Sequence, residues 1–175
     1  MQTVYTIGYE GLEIDVFIFA LKSVGVKTLA DVRALALSRK KGFSKTALKS
    51  RLEQEGISYT HFNSLGDPKP GRDAARAGKF DEFREIYTIH LATSGPQAAL
   101  QDRKNLVKDA PTCLLCFERE PSYCHRRIIS DRLKANEIKV IDLFGKDPAC
   151  HVSLNSKPTN CNAGKGDAES ELQIW

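Results

Sequence analysis

The stretch TCLLCF, residues 112–117, decides the fold. Cysteine often acts as a small hydrophobic residue, so this run lacks the polar alternation of a strand that has one face in water. An unbroken apolar run is typical of a strand that is covered on both faces, which occurs mainly in parallel sheets flanked by helices. The stretch therefore predicts an inner strand of a parallel sheet.

Further strands are predicted where short segments are rich in β-branched and apolar residues. These segments are residues 4–7, 28–32, 58–62 and 139–144. Helical patterns lie between most of them, at about residues 13–23, 44–56, 81–91, 95–107 and 122–136. Strands that alternate with helices predict βαβ units on a parallel sheet.

The fold class expected from this pattern is a single α/β domain over residues 1–145. It has a mostly parallel sheet of about five strands, helices on both faces, and a helical insertion between the third and fourth strands. The stretch LGDPKPGRDAARAGK, residues 65–79, is dense in Pro, Gly and charge and predicts an irregular surface loop. Residues 146–175 are polar, with few apolar anchors, and predict a poorly ordered tail.

Composition and charge indicate the cellular location of the protein and where its positive charge is concentrated. The chain has no basic segment followed by an apolar one at its start and no apolar run long enough to span a membrane, so we expect a cytoplasmic protein without a membrane partner. Its five cysteines are an odd number and fit a reducing compartment. The net charge of +4 is mild, but the run from Arg33 to Arg51 contains Arg and Lys without Asp or Glu.

The run CLLCFEREPSYCHRR, residues 113–127, has three possible roles. A zinc site would use Cys113, Cys116, Cys124 and His125. Residues three apart on a strand face opposite sides of the sheet, so Cys113 and Cys116 cannot both reach one metal, and neighbouring ligands on a helix point apart. The sequence therefore predicts no metal site on these four residues, and it predicts no cofactor.

A structural role suits Cys113, which shares a strand face with Leu115 and Phe117 and is expected in the core. Cys116 shares its face with Glu118, and a core face should not end in a carboxylate. Because ligands bind at the carboxyl ends of parallel strands, Cys116 and Glu118 are expected at a site. Glu118 is then a candidate general acid or base.

A catalytic thiol is the third role. If a helix starts at Ser122, Cys124 lies in its first turn, where the helix dipole and the neighbouring basic residues His125 and Arg126 lower the pKa of a thiol. The same position could instead hold a phosphate. The spacing of a cysteine phosphatase is absent at Cys116 and Cys124, because Ser122 and Ser130 lie six residues after them, where arginine is required, and the chain has no P-loop motif.

Four separated fragments resemble, in order and spacing, the family called domain of unknown function 488 (DUF488). They are TIGYEG (6–11), DVRALALSRKKGFSK (31–45), GISYTHFNSLG (56–66) and LLCFEREPSYCHRR (114–127). The resemblance implies a compact α/β protein of unestablished activity. The family often has a proline where this chain has Ala36, and Cys113 does not belong to its motif.

Several of these motifs directly follow predicted strands, so they are expected to gather along one edge of the parallel sheet. The residues taken as catalytic are Glu118, Cys116, Cys124 and His125. The residues taken as substrate-binding are Gly8, Tyr9, Glu10, Arg33, Ser38, Arg39 and Arg126.

Two functions follow from these residues, and the sequence leaves open whether the protein is an enzyme. The first is an enzyme or enzyme-like domain, dependent on a thiol or a carboxylate, whose cleft binds an anionic, phosphate-bearing substrate, either a small molecule such as a nucleotide or a nucleic acid. The alternative is a noncatalytic nucleic-acid-binding or adaptor domain that uses the basic segment from Arg33 to Arg51. Cys150, His151 and Cys161 in the tail form a further, weaker metal candidate.

Overall fold

The computed structural model describes residues 3–101, 110–134, 138–145 and 152–153. Its strands are β1 (Thr3–Gly8), β2 (Thr28–Asp31), β3 (Ser58–His61), β4 (Thr112–Cys116), β5 (Lys139–Leu143) and β6 (Val152–Ser153). Its α-helices are α1 (Ile14–Ser23), α2 (Lys45–Gln54), α3 (Lys69–Arg76), α4 (Phe80–Leu91), α5 (Ser94–Gln101) and α6 (His125–Lys134).

The sheet has the order β3-β2-β4-β1-β5-β6, and β1 to β5 are parallel. Strand β4 lies at its centre, where Leu114 pairs with Thr6 on one side and Ala30 on the other. All five predicted strands form, and the predicted parallel α/β architecture is confirmed. The sixth strand, β6, pairs antiparallel with β5.

The central strand β4 packs against helices on both of its faces. Cys113 and Leu115 belong to one core with α1 and α2, while Leu114 belongs to the other with α3, α4 and α6. Every residue of β4 is buried, as its unbroken apolar sequence predicts. Burying one such leucine side chain contributes roughly 1.5–3 kcal/mol, so both helical layers depend on this strand.

The expected irregular loop at residues 65–79 is wrong, because α3 occupies Lys69–Arg76. Pro70 lies in the first turn of this helix, where backbone N–H groups have no helical acceptor and a proline is tolerated. Gly71 is needed for close packing, since a Cβ there would lie 2.1 Å from Asp67 Oδ1. The residues that suggested a loop therefore form a compact helix start.

The predicted helix start at Ser122 is also wrong. Residues Pro121–Tyr123 form a short 3-10 helix, and α6 begins only at His125. Cys124 lies between them with extended backbone, φ −126° and ψ 145°. It therefore occupies the N-cap position of α6 instead of lying inside the first turn.

Some predicted segments extend beyond the described residues. The predicted helix at 95–107 is described only as α5, and the end of the last helix near Asn136 lies outside the described ranges. Of the tail at 146–175, the structure describes only Val152–Ser153, which form β6. The rest of the tail lies outside the described residues, so its poor order stays a prediction. Within the described ranges, each helix is too short or too polar to cross a membrane.

Gly8, at the end of β1, is predicted to be essential because it lets the β1 backbone pack closely against the backbone segment that follows β4. A Cβ at this position would lie 1.8 Å from the Glu118 carbonyl oxygen, a clash between two backbones that no side-chain rotation relieves. We expect Gly8→Ala to lower the free energy of unfolding by about 1–3 kcal/mol, measured by urea denaturation. Gly95→Ala is the matched control, because its Cβ would come no closer than 3.8 Å to Ser64. Equal stability of the two variants would contradict this packing.

Candidate active site

A cavity of about 630 Å³ opens at the carboxyl ends of the parallel strands. Cys116, Phe117 and Glu118, at and after the end of β4, line it, and α3 faces them from across the opening. The other lining residues are Tyr9, Arg33, Leu35, Leu37, Asp67, Arg72, Ala75, Arg76, Phe80, Tyr123 and His125. The position agrees with the general rule that open α/β sheets bind ligands at this edge.

Cys116 and Glu118 are in direct contact at this cavity. The Cys116 thiol donates a hydrogen bond to Glu118 Oε2 over 3.0 Å. The two residues are two apart at the end of a strand, so their side chains lie on the same side of the sheet. A carboxylate is therefore positioned to accept the proton of a thiol that lines the cavity.

His125 lies between two sulfur atoms with its ring orientation fixed. Its Nε2 is 2.9 Å from the Val32 carbonyl oxygen, which can only accept a hydrogen bond, so Nε2 carries a proton. Nδ1 lies 3.8 Å from Cys116 Sγ and 3.8 Å from Cys124 Sγ. The ring thus presents its other nitrogen to both thiols.

Cys124 is held by the start of α6 and by a buried guanidinium. Its sulfur accepts hydrogen bonds from the Arg126 backbone N–H at 3.5 Å and from Arg126 Nε at 3.3 Å. Arg126 is only 1% exposed, and it also donates to Thr6 Oγ1 and to the Glu118 carbonyl oxygen. A positive charge buried this deeply requires a negative partner, and the Cys124 thiolate supplies one.

Burial and neighbouring charges shift the pKa values of the two thiols in opposite directions. Burial opposes the Cys124 thiolate, but the Cys116 thiol, Arg126 and His125 together lower its pKa well below the usual value. Burial raises the pKa of Cys116 well above the usual value, and the adjacent Cys124 thiolate raises it further. Cys124 is thus the ionised sulfur, and Cys116 keeps its proton until a base removes it.

The acid and the imidazole of the same site have raised pKa values. Burial, followed by the Cys124 thiolate, raises the pKa of Glu118 to about 7. Burial disfavours the His125 imidazolium, yet the Cys124 thiolate and Glu118 raise its pKa to about 9. A carboxyl with a pKa near neutrality is well suited to exchange protons in catalysis.

Four side chains of this site could hold a metal ion. One ligand atom from each of Cys116, Glu118, Cys124 and His125 lies within 4.8 Å of all the others. Cys113 faces the opposite core with α1 and α2, as strand parity predicts. This metal-capable group therefore differs from the one considered from the sequence, with Glu118 in place of Cys113.

Asp31 and Arg33 form a buried ion pair beside the cavity. Arg33 Nη2 is 2.6 Å from Asp31 Oδ2, and Nε is 2.9 Å from Oδ1. The other terminal nitrogen of Arg33 donates to the Phe43 carbonyl and to the Tyr9 hydroxyl, while Tyr59 donates to Asp31. Arg33 therefore orders the wall of the cavity, and its donors are already engaged.

The structure separates the other residues expected to bind substrate. Tyr9 and Arg33 line the cavity of Cys116, whereas Gly8 and Glu10 line a neighbouring cavity of about 350 Å³. Ser38 accepts a hydrogen bond from the Lys40 backbone, and Arg39 is exposed in the same loop. Arg126 is buried and contacts Cys124.

Sequence reasoning missed the residues that α3 and its flanks bring to the cavity. Arg72 and Arg76 are four residues apart, the spacing that places two side chains on one helix face, but the Pro- and Gly-rich sequence predicts a loop there. Asp67, just before α3, also lines the cavity. Its Oδ1 atom is buried and has no hydrogen-bond partner among the residues that the structure describes.

The comparisons with known proteins identify a family. The family model described as "Domain of unknown function DUF488" matches residues 13–133, more than half of the chain. The matched range contains all four residues of the Cys–Glu–Cys–His group, and the resemblance noted from the sequence is confirmed. No curated protein and no solved structure matches the chain.

The pairing of Cys124 with Arg126 predicts an energetic coupling. We expect Arg126→Met to cost about 3–5 kcal/mol of unfolding free energy, because it leaves a thiolate buried without its cation. Cys124→Ala in the same protein should restore part of this loss, so the double variant should be more stable than the sum of the single effects by about 1–3 kcal/mol. Urea denaturation of the four proteins measures this coupling. Strict additivity would show that Cys124 is a neutral thiol.

The buried carboxyl of Asp67 predicts a stability gain on substitution. Burial raises its pKa from 3.8 to about 6, so the folded protein binds this proton more tightly than the unfolded chain does. Stability is therefore lost as the pH rises from about 4 to about 6, and the full cost remains at higher pH. We expect Asp67→Asn to raise the melting temperature at pH 8 by roughly 2–4 °C.

The pH dependence tests the cause of this gain. The difference between Asp67→Asn and the unsubstituted protein should shrink as the pH falls from 6 to 4, measured by calorimetry. Asp73→Asn is the control, because it removes an exposed ion pair with Lys69 on the same helix and should give no such rise. A gain for Asp67→Asn that stays constant across this pH range would rule out a titrating Asp67.

Proposed function

This chain belongs to the DUF488 family, a domain of unknown function, and we propose that it is a thiol-dependent enzyme acting on a phosphate-bearing substrate of the nucleotide class. The contact between the Cys116 thiol and the Glu118 carboxylate, on the wall of an open cavity, carries the proposal. Structural cysteines are usually inert in apolar surroundings, whereas this one has a base within 3.0 Å.

In the proposed step, Cys116 Sγ attacks the electrophilic centre of the substrate. Its proton passes to Glu118 as the bond from sulfur to substrate forms, and Glu118 returns that proton to the leaving group as the old bond breaks. His125 contributes positive charge beside both sulfurs, which stabilises the negative charge that develops during the attack. Cys124 and Arg126 position His125 and the start of α6 and do not touch the substrate.

The cavity combines basic and aromatic side chains. Arg72 and Arg76 extend from α3, and a guanidinium can bind two phosphate oxygens at once. Arg72 also donates to the Asp67 carbonyl. Arg76 lies 3.5 Å from the exposed Asp73, so each arginine keeps further N–H donors for a ligand.

Phe117 and Tyr123 also line the cavity, where they pack against Tyr9 and Phe80, yet they remain 46% and 53% exposed and so keep ring surface open for stacking. Stacking on such a ring contributes about 1–3 kcal/mol per nucleic-acid base, so a nucleotide satisfies both features of the cavity.

The alternative, nucleic-acid binding by the segment from Arg33 to Arg51, receives less support. Several cations of that segment are engaged in ion pairs with acidic residues. The pairs are Arg33 with Asp31, Lys40 with Glu13, Lys49 with Glu53, and Arg51 with Glu55. The positive field that the sequence indicates is therefore partly neutralised in the folded protein.

Binding is tested first, with a matched pair of arginine variants. Nucleoside monophosphates and diphosphates, nucleosides and inorganic phosphate are added to the protein, and the melting temperature is recorded. We expect phosphorylated nucleosides to raise it and Arg76→Gln to abolish that rise. Arg84→Gln is the control, because Arg76 and Arg84 each pair with an aspartate three residues earlier on an exposed helix face, and Arg84 does not line the cavity.

Turnover is then measured on the compounds that bind. We expect Cys116→Ser or Glu118→Gln to lower kcat by about 10²–10⁴-fold while binding persists, because each removes a group used only in the chemical step. Cys113→Ala, buried on the opposite face of β4, should keep kcat unchanged. Full turnover in both site variants, or equal binding by Arg76→Gln and Arg84→Gln, would overturn the proposed function.

A further inference from the structure

We propose that Cys116, Glu118, Cys124 and His125 also form a binding site for a thiophilic divalent cation, of which Zn²⁺ is the probe. The proposal shares residues with the proposed activity but rests on the geometry of the donor atoms and not on that activity. Two sulfurs, one imidazole nitrogen and one carboxylate oxygen are a ligand set that zinc accepts.

The separations between the donor atoms suit one small ion. Ligands that bind zinc at about 2.0–2.3 Å in a tetrahedron lie roughly 3.3–3.8 Å apart. The measured separations are 3.8 Å from His125 Nδ1 to each sulfur and 3.0 Å from Cys116 Sγ to Glu118 Oε2. All four donors lie within 4.8 Å of one another, so side-chain shifts of about 1 Å complete the site.

Groups around the donors already hold them in the orientation that a metal needs. Metal-binding histidines commonly donate their second N–H to a backbone carbonyl, and His125 Nε2 does so to Val32 over 2.9 Å. Arg126 and the N-terminus of α6 donate to Cys124 Sγ, which keeps this sulfur ionised and oriented. Both contacts leave the donor atoms free to bind a metal.

The charge balance of the cluster favours a divalent ion. With both thiols and Glu118 ionised, the cluster carries three negative charges, and Arg126 adds one positive charge. One divalent cation makes the buried group neutral, with His125 as an uncharged ligand. Burying charges costs free energy unless opposite charges balance them. Arg126 balances only part of the negative charge, and the metal would balance the rest.

Occupation by zinc would switch off the proposed thiol chemistry. Four protein ligands make a closed site without an open position for substrate, unlike the three-ligand sites of zinc enzymes. Cys116 would become a ligand and Glu118 would lose its role as a base. The metal-bound protein is therefore an inactive form, and chelation restores the nucleophile.

Cobalt spectroscopy on the full chain tests the site directly. Co²⁺ is titrated into metal-free protein under reducing conditions, followed by competition with Zn²⁺. We expect one ion per chain, a tetrahedral spectrum, and a thiolate-to-metal absorption band that Cys116→Ser and Cys124→Ser each reduce by about half, with zinc affinity at least about 10-fold weaker. If a cysteine variant does not fold, Glu118→Gln replaces it in the test, because Glu118 is only half-buried. This variant should also weaken zinc affinity.

Two controls separate this site from other cysteines of the chain. Cys113→Ala and the double variant Cys150→Ala/Cys161→Ala should keep the spectrum and the stoichiometry of the unsubstituted protein. An unchanged spectrum in Cys116→Ser and Cys124→Ser, or its loss in the Cys150/Cys161 variant, would overturn the proposal, as would absence of cobalt binding. Nucleotide binding and turnover are assayed with chelator present, so failure of either proposal leaves the other testable.

Discussion

The buried guanidinium of Arg126 is the interaction on which the site depends. It connects Cys124 at the start of α6, Thr6 on β1 and the Glu118 carbonyl after β4. Thr6 in turn donates to Asp142 on β5, so the network reaches three neighbouring strands and one helix. Because a buried cation cannot remain without counter-charge, this residue fixes both the positions of these elements and the ionised state of Cys124.

The strand pattern could be predicted from the sequence because β4 obeys simple parity. Its unbroken apolar run indicated burial on both faces, and the two-residue period placed Cys116 with Glu118 and Cys113 away from them. The start of α6 was harder to predict from the sequence. Ser122 is a common N-cap residue, but Cys124, which caps helices less often, occupies the N-cap position. Asp67, Arg72 and Arg76 were missed because Pro and Gly in the first turn of α3 imitate a loop.

Two buried carboxyl groups lower the stability of the protein at this cavity. Asp67 keeps a buried oxygen that has no hydrogen-bond partner in the part of the chain that the structure describes, and Gly71 makes room for it. The raised pKa values of Asp67 and Glu118 show that burial disfavours their charged forms. Sites that bind and transform ligands commonly keep such groups although they reduce stability, and here both groups line the same cavity.

The two-residue strand β6 has a consequence for how the protein behaves at high concentration. It pairs with Ile141 and Asp142 of β5, and so occupies backbone groups that would otherwise face outward at that margin of the sheet. An uncovered margin is a template on which strands of other molecules can add, and a short covering strand offers little surface for such growth. A segment of only two residues can therefore protect this margin of the sheet, the one opposite β3, against pairing with other molecules.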